Sequence, residues 1–274
     1  MLLATVLALS AAVLHASWNL VVKQTVGDRY VAIWGQFFVA SPLMLVVLFA
    51  YPPHASAWTW AALSGVLHVP YAWFLAKGYQ QGDFSLVYPI ARGGGAALGA
   101  ITGVLFLGDR LGAWGIAGIV VVCIGLVGLP SKRRGAAVQS ALLVSLCIAA
   151  YSVADAKGIR TEGSWRYIGA SAICGVVSFS AWGLASGRFR VMVTTVRTRW
   201  RRLLIVGISA NITYAMVQFA MKLAPVGYVS ALRESSVVLA ALVGSRYLGE
   251  SGGTRRLVCS LAVTVGVVLL IVGR

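Results

Sequence analysis

The chain has 274 residues, of which 59% are hydrophobic and only 11% are charged. A soluble globular protein usually carries about 25% charged residues, so this composition excludes a water-soluble surface. Because the mean hydropathy is +0.85, the net charge of +16 indicates basic loops that set membrane topology rather than a nucleic-acid-binding face. The composition predicts a multi-pass protein of the cell membrane (inner or plasma membrane).

Apolar runs separated by glycine, proline or charged residues predict ten transmembrane helices, each close to the roughly 20 residues that a bilayer core requires. The first run is interpreted as a retained helix rather than a signal peptide. No basic segment precedes it, and the polar His15 and Asn19 lie where the helix continues. The predicted helices cover residues 2–23, 30–50, 57–77, 84–107, 112–129, 138–157, 166–186, 203–222, 226–247 and 255–273.

An internal repeat divides the chain. When the sequence is shifted by 141 residues, the fourth and fifth predicted helices align with the ninth and tenth. An intramembrane arginine, a Leu-Gly-acid ending and a series of small residues at four-residue spacing recur, and such small residues let helices pack closely in lipid. The aligned pairs include Arg92 with Arg233, Gly95 with Ser236, Gly99 with Ala240, Gly103 with Gly244, Leu107-Gly108-Asp109 with Leu248-Gly249-Glu250, and Gly125 with Gly266.

The number of helices in each repeat determines how the two halves are oriented. Five is an odd number, so the second repeat crosses the membrane inverted relative to the first. We therefore predict an all-α integral membrane protein of two inverted five-helix repeats, residues 1–130 and 131–274. Inverted repeats are typical of transporters that alternate their access around a site near the middle of the membrane.

Five segments carry a resemblance to a known family. They are His15-Ala-Ser-Trp18-Asn19 with Lys23, Gly82-Asp-Phe-Ser-Leu-Val-Tyr-Pro-Ile-Ala-Arg92, Leu107-Gly108-Asp109, Ala231-Leu232-Arg233-Glu234 and Leu248-Gly249-Glu250. These segments resemble the EamA-like branch of the drug/metabolite transporter (DMT) superfamily. The resemblance covers nearly the whole chain and implies ten helices as five plus five and a transport function, but it is almost silent about the substrate. The fourth helix departs from the family pattern, because Gly93-Gly94-Gly95 stands here where many relatives carry a proline further along.

Ionisable side chains inside the predicted helices are the strongest local clues to a site, since each costs about 2.5–3.5 kcal/mol at the centre of a membrane helix. Arg92 and Arg233 occupy matched positions in the two halves, and two guanidinium groups facing one cavity suit a carboxylate or a phosphate. The alternative is a structural ion pair of Arg92 with Glu234 or Asp155. His15, Asp155 and Glu234 are also candidates for proton coupling, which the sequence leaves open.

Polar and aromatic residues at helical spacing predict the walls of the site. Because polar groups in lipid must be satisfied within the protein, the helix faces that carry them should point inward. The alternative is that the polar members only hydrogen-bond across helices. The predicted wall and contact residues are Trp18, Asn19, Tyr88, Tyr151, Asn211, Tyr214 and Gln218.

These residues favour a secondary transporter of a small polar metabolite, with an amino acid or related zwitterion ranked first. The aromatic walls suit a quaternary ammonium group almost as well, in which case the arginines are structural. A phosphorylated sugar ranks third. Alternatives of other classes are a lipid flippase and a non-transporting membrane subunit or lipid-handling enzyme.

The sequence gives no sign of enzyme chemistry. It contains no catalytic motif, metal-ligand spacing or cofactor motif, so we expect no enzymatic activity, no metal and no cofactor. The four cysteines lie in apolar runs as small core residues. The small-residue series serves packing within one chain or a homodimer, and the sequence does not distinguish the two.

The orientation in the membrane stays open at this stage. Basic residues concentrate in the odd-numbered connections, which the positive-inside rule assigns to the cytoplasm, with both termini outside. The family resemblance implies instead that both termini are cytoplasmic. An even number of helices places both termini on one side in either case.

Overall fold

A computed structural model describes residues 2–108, 110–129, 135–223, 229, 232–251 and 253–273, with the backbone alone at Ser164, Tyr214, Gln218, Met221 and Lys222. These residues form helices connected by turns and short loops, and no strand occurs among them. The helices are α1 (Leu2–Lys23), α2 (Arg29–Ala50), α3 (Ala55–Gln81), α4 (Phe84–Leu107), α5 (Ala113–Gly128), α6 (Gly135–Glu162), α7 (Ser164–Ala185), α8 (Phe189–Leu223), α9 (Ser235–Arg246) and α10 (Gly253–Val272).

The basic stretch before residue 203 is helical, and the prediction that it connects two helices is wrong. Helix α8 begins at Phe189 and runs for 35 residues. Its first half is amphipathic, with arginines among apolar residues and threonines, so it forms no continuous apolar run. The criterion of apolar runs therefore detects only its second half.

The predicted ninth helix also differs from the structure. Residues 226–228, 230 and 231 of the predicted range lie outside the described residues, Glu234 is in a turn, and α9 begins at Ser235. The Ser235 Oγ donates a hydrogen bond to the Leu232 carbonyl at 2.7 Å, a local bond that competes with continuous helix. Helix α4 is unbroken at Arg92, so the two aligned arginines lie in different backbone settings.

The exterior and the helix lengths are those of a multi-pass membrane protein. Six of the described helices, α1, α2, α4, α6, α7 and α10, are long and apolar enough to cross a membrane, and α5 and α9 are shorter apolar helices. Large apolar side chains cover the outside, with Phe49 and Val127 80% exposed and Leu105 69% exposed. An apolar exterior of this kind requires lipid as its solvent. That all ten helices span the membrane stays a prediction.

Most of the contacts between helices recur between counterparts, a counterpart being the helix whose number differs by five. The contact of α4 with α10 is an exception, because no comparable contact of α9 with α5 matches it among the described residues. Helix α3 packs on α6 and α7, and α8 packs on α1 and α2. Helix α4 packs on α6, and α9 packs on α1. The pairs α2–α7, α4–α9 and α5–α10 each join a helix to its own counterpart. Apart from the α4–α10 contact, the pattern of these contacts is therefore unchanged when the two sets of five helices are exchanged.

Glycines permit the close contact between α5 and α10. A Cβ atom on Gly266 would lie 2.6 Å from the backbone nitrogen of Val122 and 2.8 Å from the carbonyl oxygen of Gly118. A Cβ atom on Gly125 would lie 2.9 Å from the carbonyl oxygen of Cys259. The two contacts are counterparts, because the repeat aligns Gly125 with Gly266 and Gly118 with Cys259. Glycine is needed at both positions because the neighbouring atoms are backbone.

The two Leu-Gly-acid endings share a backbone conformation. Gly108, which ends α4, has a φ of +71°, and Gly249, which follows α9, has a φ of +61°. Glycine adopts this left-handed conformation without steric strain, which is why it commonly ends a helix. The acidic member of the first ending, Asp109, lies outside the described residues.

Candidate functional site

Charged and aromatic side chains from α1, α4 and the two residues before α9 meet in a group that we name the central cluster: His15, Tyr88, Arg92, Arg233 and Glu234. The Arg92 Nη2 lies 2.7 Å from the Glu234 Oε1. Only 17% of the Arg92 side chain and 9% of the Glu234 side chain are exposed. Of the two structural pairs predicted for Arg92, the structure therefore contains the pair with Glu234.

Part of the hydrogen-bonding capacity of this cluster is unused. The Arg92 Nε and the Glu234 Oε2 are buried and have no hydrogen-bond partner. Arg233 is half-buried, lies within electrostatic range of Arg92 and Glu234, and forms no ion pair with any residue that the structure describes. A buried donor or acceptor left unpaired costs about 1–3 kcal/mol. The cluster therefore presents a donor, an acceptor and a guanidinium group that a ligand can satisfy.

The face of α1 that carries His15, Trp18 and Asn19 lies at this cluster. The His15 ring lies edge-on to Trp18, with centroids 5.2 Å apart, and 6.1 Å from the ring of Tyr88. His15 is within electrostatic range of Arg92 and Arg233. On the same face, the Asn19 side chain is occupied by structural bonds: it donates to the His15 carbonyl at 3.0 Å and accepts from the hydroxyl of Tyr79 at 3.0 Å.

The hydroxyl of Tyr88 donates a hydrogen bond to the Oγ of Ser236 at 3.1 Å. This bond joins α4 to α9 one turn before Arg92, so the ion pair and the tyrosine together hold the two counterpart helices at the cluster. Tyr88 is 2% exposed, and its role as a wall residue of a substrate site stays a prediction.

A second aromatic group, from α3 and α6, extends the site. His68 stacks on Tyr151 with ring centroids 4.0 Å apart, and Tyr71 lies 5.8 Å from each of them. Tyr151 is within electrostatic range of Arg92. The Asp155 Oδ1 accepts a hydrogen bond from the hydroxyl of Tyr167 at 2.8 Å. We name His68, Tyr71 and Tyr151 the aromatic wall.

The contribution of α3 was missed by the sequence analysis. His68, Tyr71 and Tyr79 recur at intervals of three and eight residues, which place them on one face of a helix. That spacing was a usable signal, since all three are polar or amphipathic residues in a predicted membrane helix.

The predicted contact residues of α8 are not joined to the cluster by any described contact. The Asn211 Nδ2 donates to the Gly207 carbonyl of its own helix at 2.8 Å. The side chains of Tyr214 and Gln218 lie outside the described residues. Substrate contact by these three residues stays a prediction.

An ionic network lies at the start of α4. The Glu250 carboxylate accepts hydrogen bonds from the backbone nitrogens of Phe84 at 2.6 Å and Ser85 at 2.8 Å. It thereby caps the helix, because the first N–H groups of a helix have no partner within it and favour a negative charge. Arg256 donates to Asp83 and to the Ser85 hydroxyl, both at 2.6 Å. The second Leu-Gly-acid ending thus holds α4 through its acid.

Burial differs between the two ends of the central cluster. Every residue of α4 from Phe84 to Ala91 is buried, and the Lys23 Nζ donates to the Tyr79 carbonyl at 2.7 Å nearby. Toward the other end of α4, Asp155 and the aromatic wall are half-buried. The cluster is therefore more open toward the C-terminal end of α4.

Metal ligands do not gather in the described part of the chain. Among those residues, no group of three or more His, Cys, Asp or Glu side chains could hold a metal ion. The four cysteines are free thiols that form no disulfide. The described side chains of the central cluster offer hydrogen bonding, ion pairing and aromatic contact.

The described residues form helices with an apolar exterior around a buried, partly unsatisfied group of charges, an arrangement typical of multi-pass membrane transporters. The model of the EamA-like transporter family matches residues 135–272, just over half of the chain. The chain belongs to this family, which is part of the drug/metabolite transporter superfamily, and the resemblance found in the sequence is confirmed.

Solved structures also share the fold, and eleven of their chains match. One of them, a crystal structure of a protein, is 14% identical to this chain, with a TM-score of 0.61. The match covers 97% of this chain and 95% of that one. No curated protein matches the sequence significantly.

Proposed function

We propose that this protein is a secondary transporter of the cell membrane (inner or plasma membrane) that moves a small zwitterionic metabolite, such as an amino acid. The observation that carries this proposal is the unused bonding capacity of the central cluster. The Arg92 Nε and the Glu234 Oε2 are buried without partners, beside an Arg233 that has no ion pair among the described residues. A ligand with one carboxylate and one ammonium group satisfies all three.

The chemistry assigns each end of such a ligand to one part of the cluster. The carboxylate accepts from Arg233 and from the Nε of Arg92, since guanidinium groups bind carboxylates in a planar, paired geometry. The ammonium group donates to the free oxygen of Glu234. The formal charges of Arg92, Arg233, Glu234 and Asp155 sum to zero, so a zwitterion leaves the site neutral whereas a net ion does not.

Movement across the membrane is proposed to occur by alternating access between two inverted repeats, residues 1–130 and 131–274. The exchange symmetry of the helix contacts supports this division. The turn at Glu234 also supports it, because transporter sites are typically formed where a helix is discontinuous. In the present state the network of Glu250 and Arg256 closes one end. Opening that end requires Glu250 to release the start of α4.

Ligand-dependent stabilisation tests the substrate class. The purified protein in detergent is unfolded thermally against amino acids, quaternary amines and sugar phosphates. A ligand at 100 times its Kd stabilises by about 2.7 kcal/mol. We expect amino acids to raise the Tm of the wild type and to lose this effect in Arg233→Ala and Glu234→Gln. Arg246→Ala is the control, because Arg246 is exposed at the end of α9. Stabilisation by sugar phosphates alone would contradict the proposal.

The same ligand is then followed across a membrane. Proteoliposomes loaded with unlabelled ligand should exchange it for labelled ligand outside, and the two variants should not. A pH-sensitive dye in the lumen reports whether protons move with the ligand. Proton movement would indicate coupling through His15, Asp155 or Glu234, and its absence would indicate plain exchange of the ligand.

Quaternary ammonium compounds are the second candidate substrates, and the aromatic wall beside Asp155 favours them. Three rings within 5.8 Å of one another, next to a carboxylate, offer cation–π attraction to a positively charged ligand. In that case quaternary amines stabilise the protein, Arg233→Ala keeps the effect, and Tyr151→Ala loses it.

A further inference from the structure

Two adjoining cavities lie beside the first half of α8, at the end of the molecule where α1 ends and α2 begins. The inner cavity measures about 210 Å³ and the outer one about 620 Å³. Both are lined by Val26, Thr198, Arg199 and Arg202. They form a site separate from the central cluster, with which they share no lining residue.

One face of α8 forms the wall of the inner cavity. The lining residues 191, 194, 195, 198, 199, 202, 203 and 206 recur every three or four positions, the spacing of a single helix face. The deep part is apolar, with Val22, Leu203 and Val206, and the mouth carries threonines and the two arginines. The Arg199 Nη1 donates to the Val26 carbonyl at 3.0 Å, which positions its guanidinium over the mouth.

A buried polar side chain in the inner cavity lacks partners. Gln36 lines it and is 1% exposed, yet neither its Oε1 nor its Nε2 has a hydrogen-bond partner. An amide left without partners in an apolar interior is destabilising. The carboxylate of Asp28, which also lines the cavity, accepts from Arg188 at 2.8 Å and from the Val31 nitrogen at 3.2 Å. The site therefore offers a ligand mainly hydrogen-bond donors, from Arg202 and Gln36, because the Asp28 carboxylate already accepts two hydrogen bonds.

The aromatic and basic residues around the mouth indicate where the site lies in the membrane. Trp200, Arg197 and Arg201 line the outer cavity, and Trp200 is 47% exposed. Phe189, at the start of α8, is 60% exposed. Aromatic residues mixed with arginines are typical of the boundary between lipid tails and headgroups. The cavity mouth is consequently next to the headgroup layer.

We infer that these cavities bind the headgroup of an anionic phospholipid, with its phosphate on Arg199 and Arg202 and its glycerol hydroxyls toward the Gln36 amide. The basic mouth and its position at the membrane boundary suit a phosphate that arrives attached to acyl chains, and the unpartnered Gln36 amide suits the hydroxyls of the headgroup. Basic pockets beside membrane helices bind such headgroups. A free phosphate compound has the same charge but no acyl chains, so the experiment compares the two.

Lipid titration of the purified protein tests the inference. Delipidated protein in detergent is titrated with phosphatidylglycerol, with phosphatidylcholine of the same acyl chains, and with glycerol 3-phosphate. Thermal unfolding and native mass spectrometry report binding. We expect phosphatidylglycerol to raise the Tm and to remain bound, whereas the other two compounds do neither. Equal stabilisation by glycerol 3-phosphate, or by phosphatidylcholine, would overturn the inference.

Matched variants locate the binding. The double variant Arg199→Gln/Arg202→Gln should weaken phosphatidylglycerol binding by about tenfold or more. The control Arg190→Gln/Arg246→Gln removes the same charge from exposed positions that line neither cavity, and it should bind as the wild type does. If both doubles lose binding equally, the attraction is a general surface effect and the site is refuted.

A third variant does not depend on charge. Gln36→Leu removes the unpartnered amide, so we expect a higher Tm without lipid and a smaller shift with phosphatidylglycerol. An undiminished lipid shift in this variant would place the headgroup outside the inner cavity and contradict the inference. Because the change replaces an unsatisfied group by an apolar one, the variant remains informative even if the arginine double fails to fold.

Discussion

Removing the charge of Glu234 should destabilise the protein more than removing that of Arg92. The two side chains form a 2.7 Å ion pair with 9% and 17% exposure. Breaking a buried pair by deleting one partner costs about 3–5 kcal/mol. In Arg92→Met, Glu234 keeps the neighbouring Arg233 as a counter-charge. In Glu234→Gln, two guanidinium groups within electrostatic range of each other lose theirs.

The magnitudes follow from this asymmetry. We expect Arg92→Met to lower the free energy of unfolding by about 3 kcal/mol and Glu234→Gln by about 4–5 kcal/mol. The double variant should lose less than the sum of the two, with a coupling energy of about 2 kcal/mol. Adding Arg233→Met to Glu234→Gln should restore part of the stability, because it removes the remaining repulsion.

Reversible unfolding in mixed micelles with increasing sodium dodecyl sulfate measures these energies. The nine tryptophans of the chain provide the fluorescence signal. Single variants that add to within about 0.5 kcal/mol would show that the pair is not coupled. An Arg92→Met variant that is less stable than Glu234→Gln would refute the role given to Arg233.

Three further changes test the packing and the α4 cap, each by the same unfolding measurement. Gly266→Ala should lower the free energy of unfolding by about 1–3 kcal/mol, because the added Cβ would lie 2.6 Å from a backbone nitrogen of α5. Gly99→Ala should not lower it, because a Cβ at this position would meet no atom within 4 Å. Glu250→Gln should cost about 1–3 kcal/mol, since the capping carboxylate loses its charge. Tyr30→Phe should cost about 0.5–1.5 kcal/mol by removing a 2.8 Å bond to the Phe179 carbonyl. The same change at Tyr247, which is 85% exposed, should have no effect, and equal losses at both tyrosines would contradict this assignment.

Local features of the sequence were enough to predict the class of protein and the residues that bear charge inside it. Long apolar runs require lipid, and intramembrane charges are expensive enough to stand out against them. The Leu-Gly-acid endings were recognisable as a repeat, and their glycines share a positive φ. Helix ends were less predictable. The first half of α8 is amphipathic and forms no continuous apolar run, and the turn at Glu234 is not marked by a change in hydrophobicity.

Only the tertiary structure decided which partners these residues have. Arg92 and Glu234 are 142 positions apart, and Glu250 caps a helix that begins 166 positions before it. Aligning the halves paired Arg92 with Arg233, yet the ion pair formed with the adjacent Glu234. Which of two neighbouring side chains reaches a partner depends on the rotation and packing of whole helices, and small residues such as Gly266 set that packing through backbone contacts. Composition and periodicity show which charged residues are buried in the membrane. The ion pairs and hydrogen bonds that offset the cost of burying them form only in the folded chain.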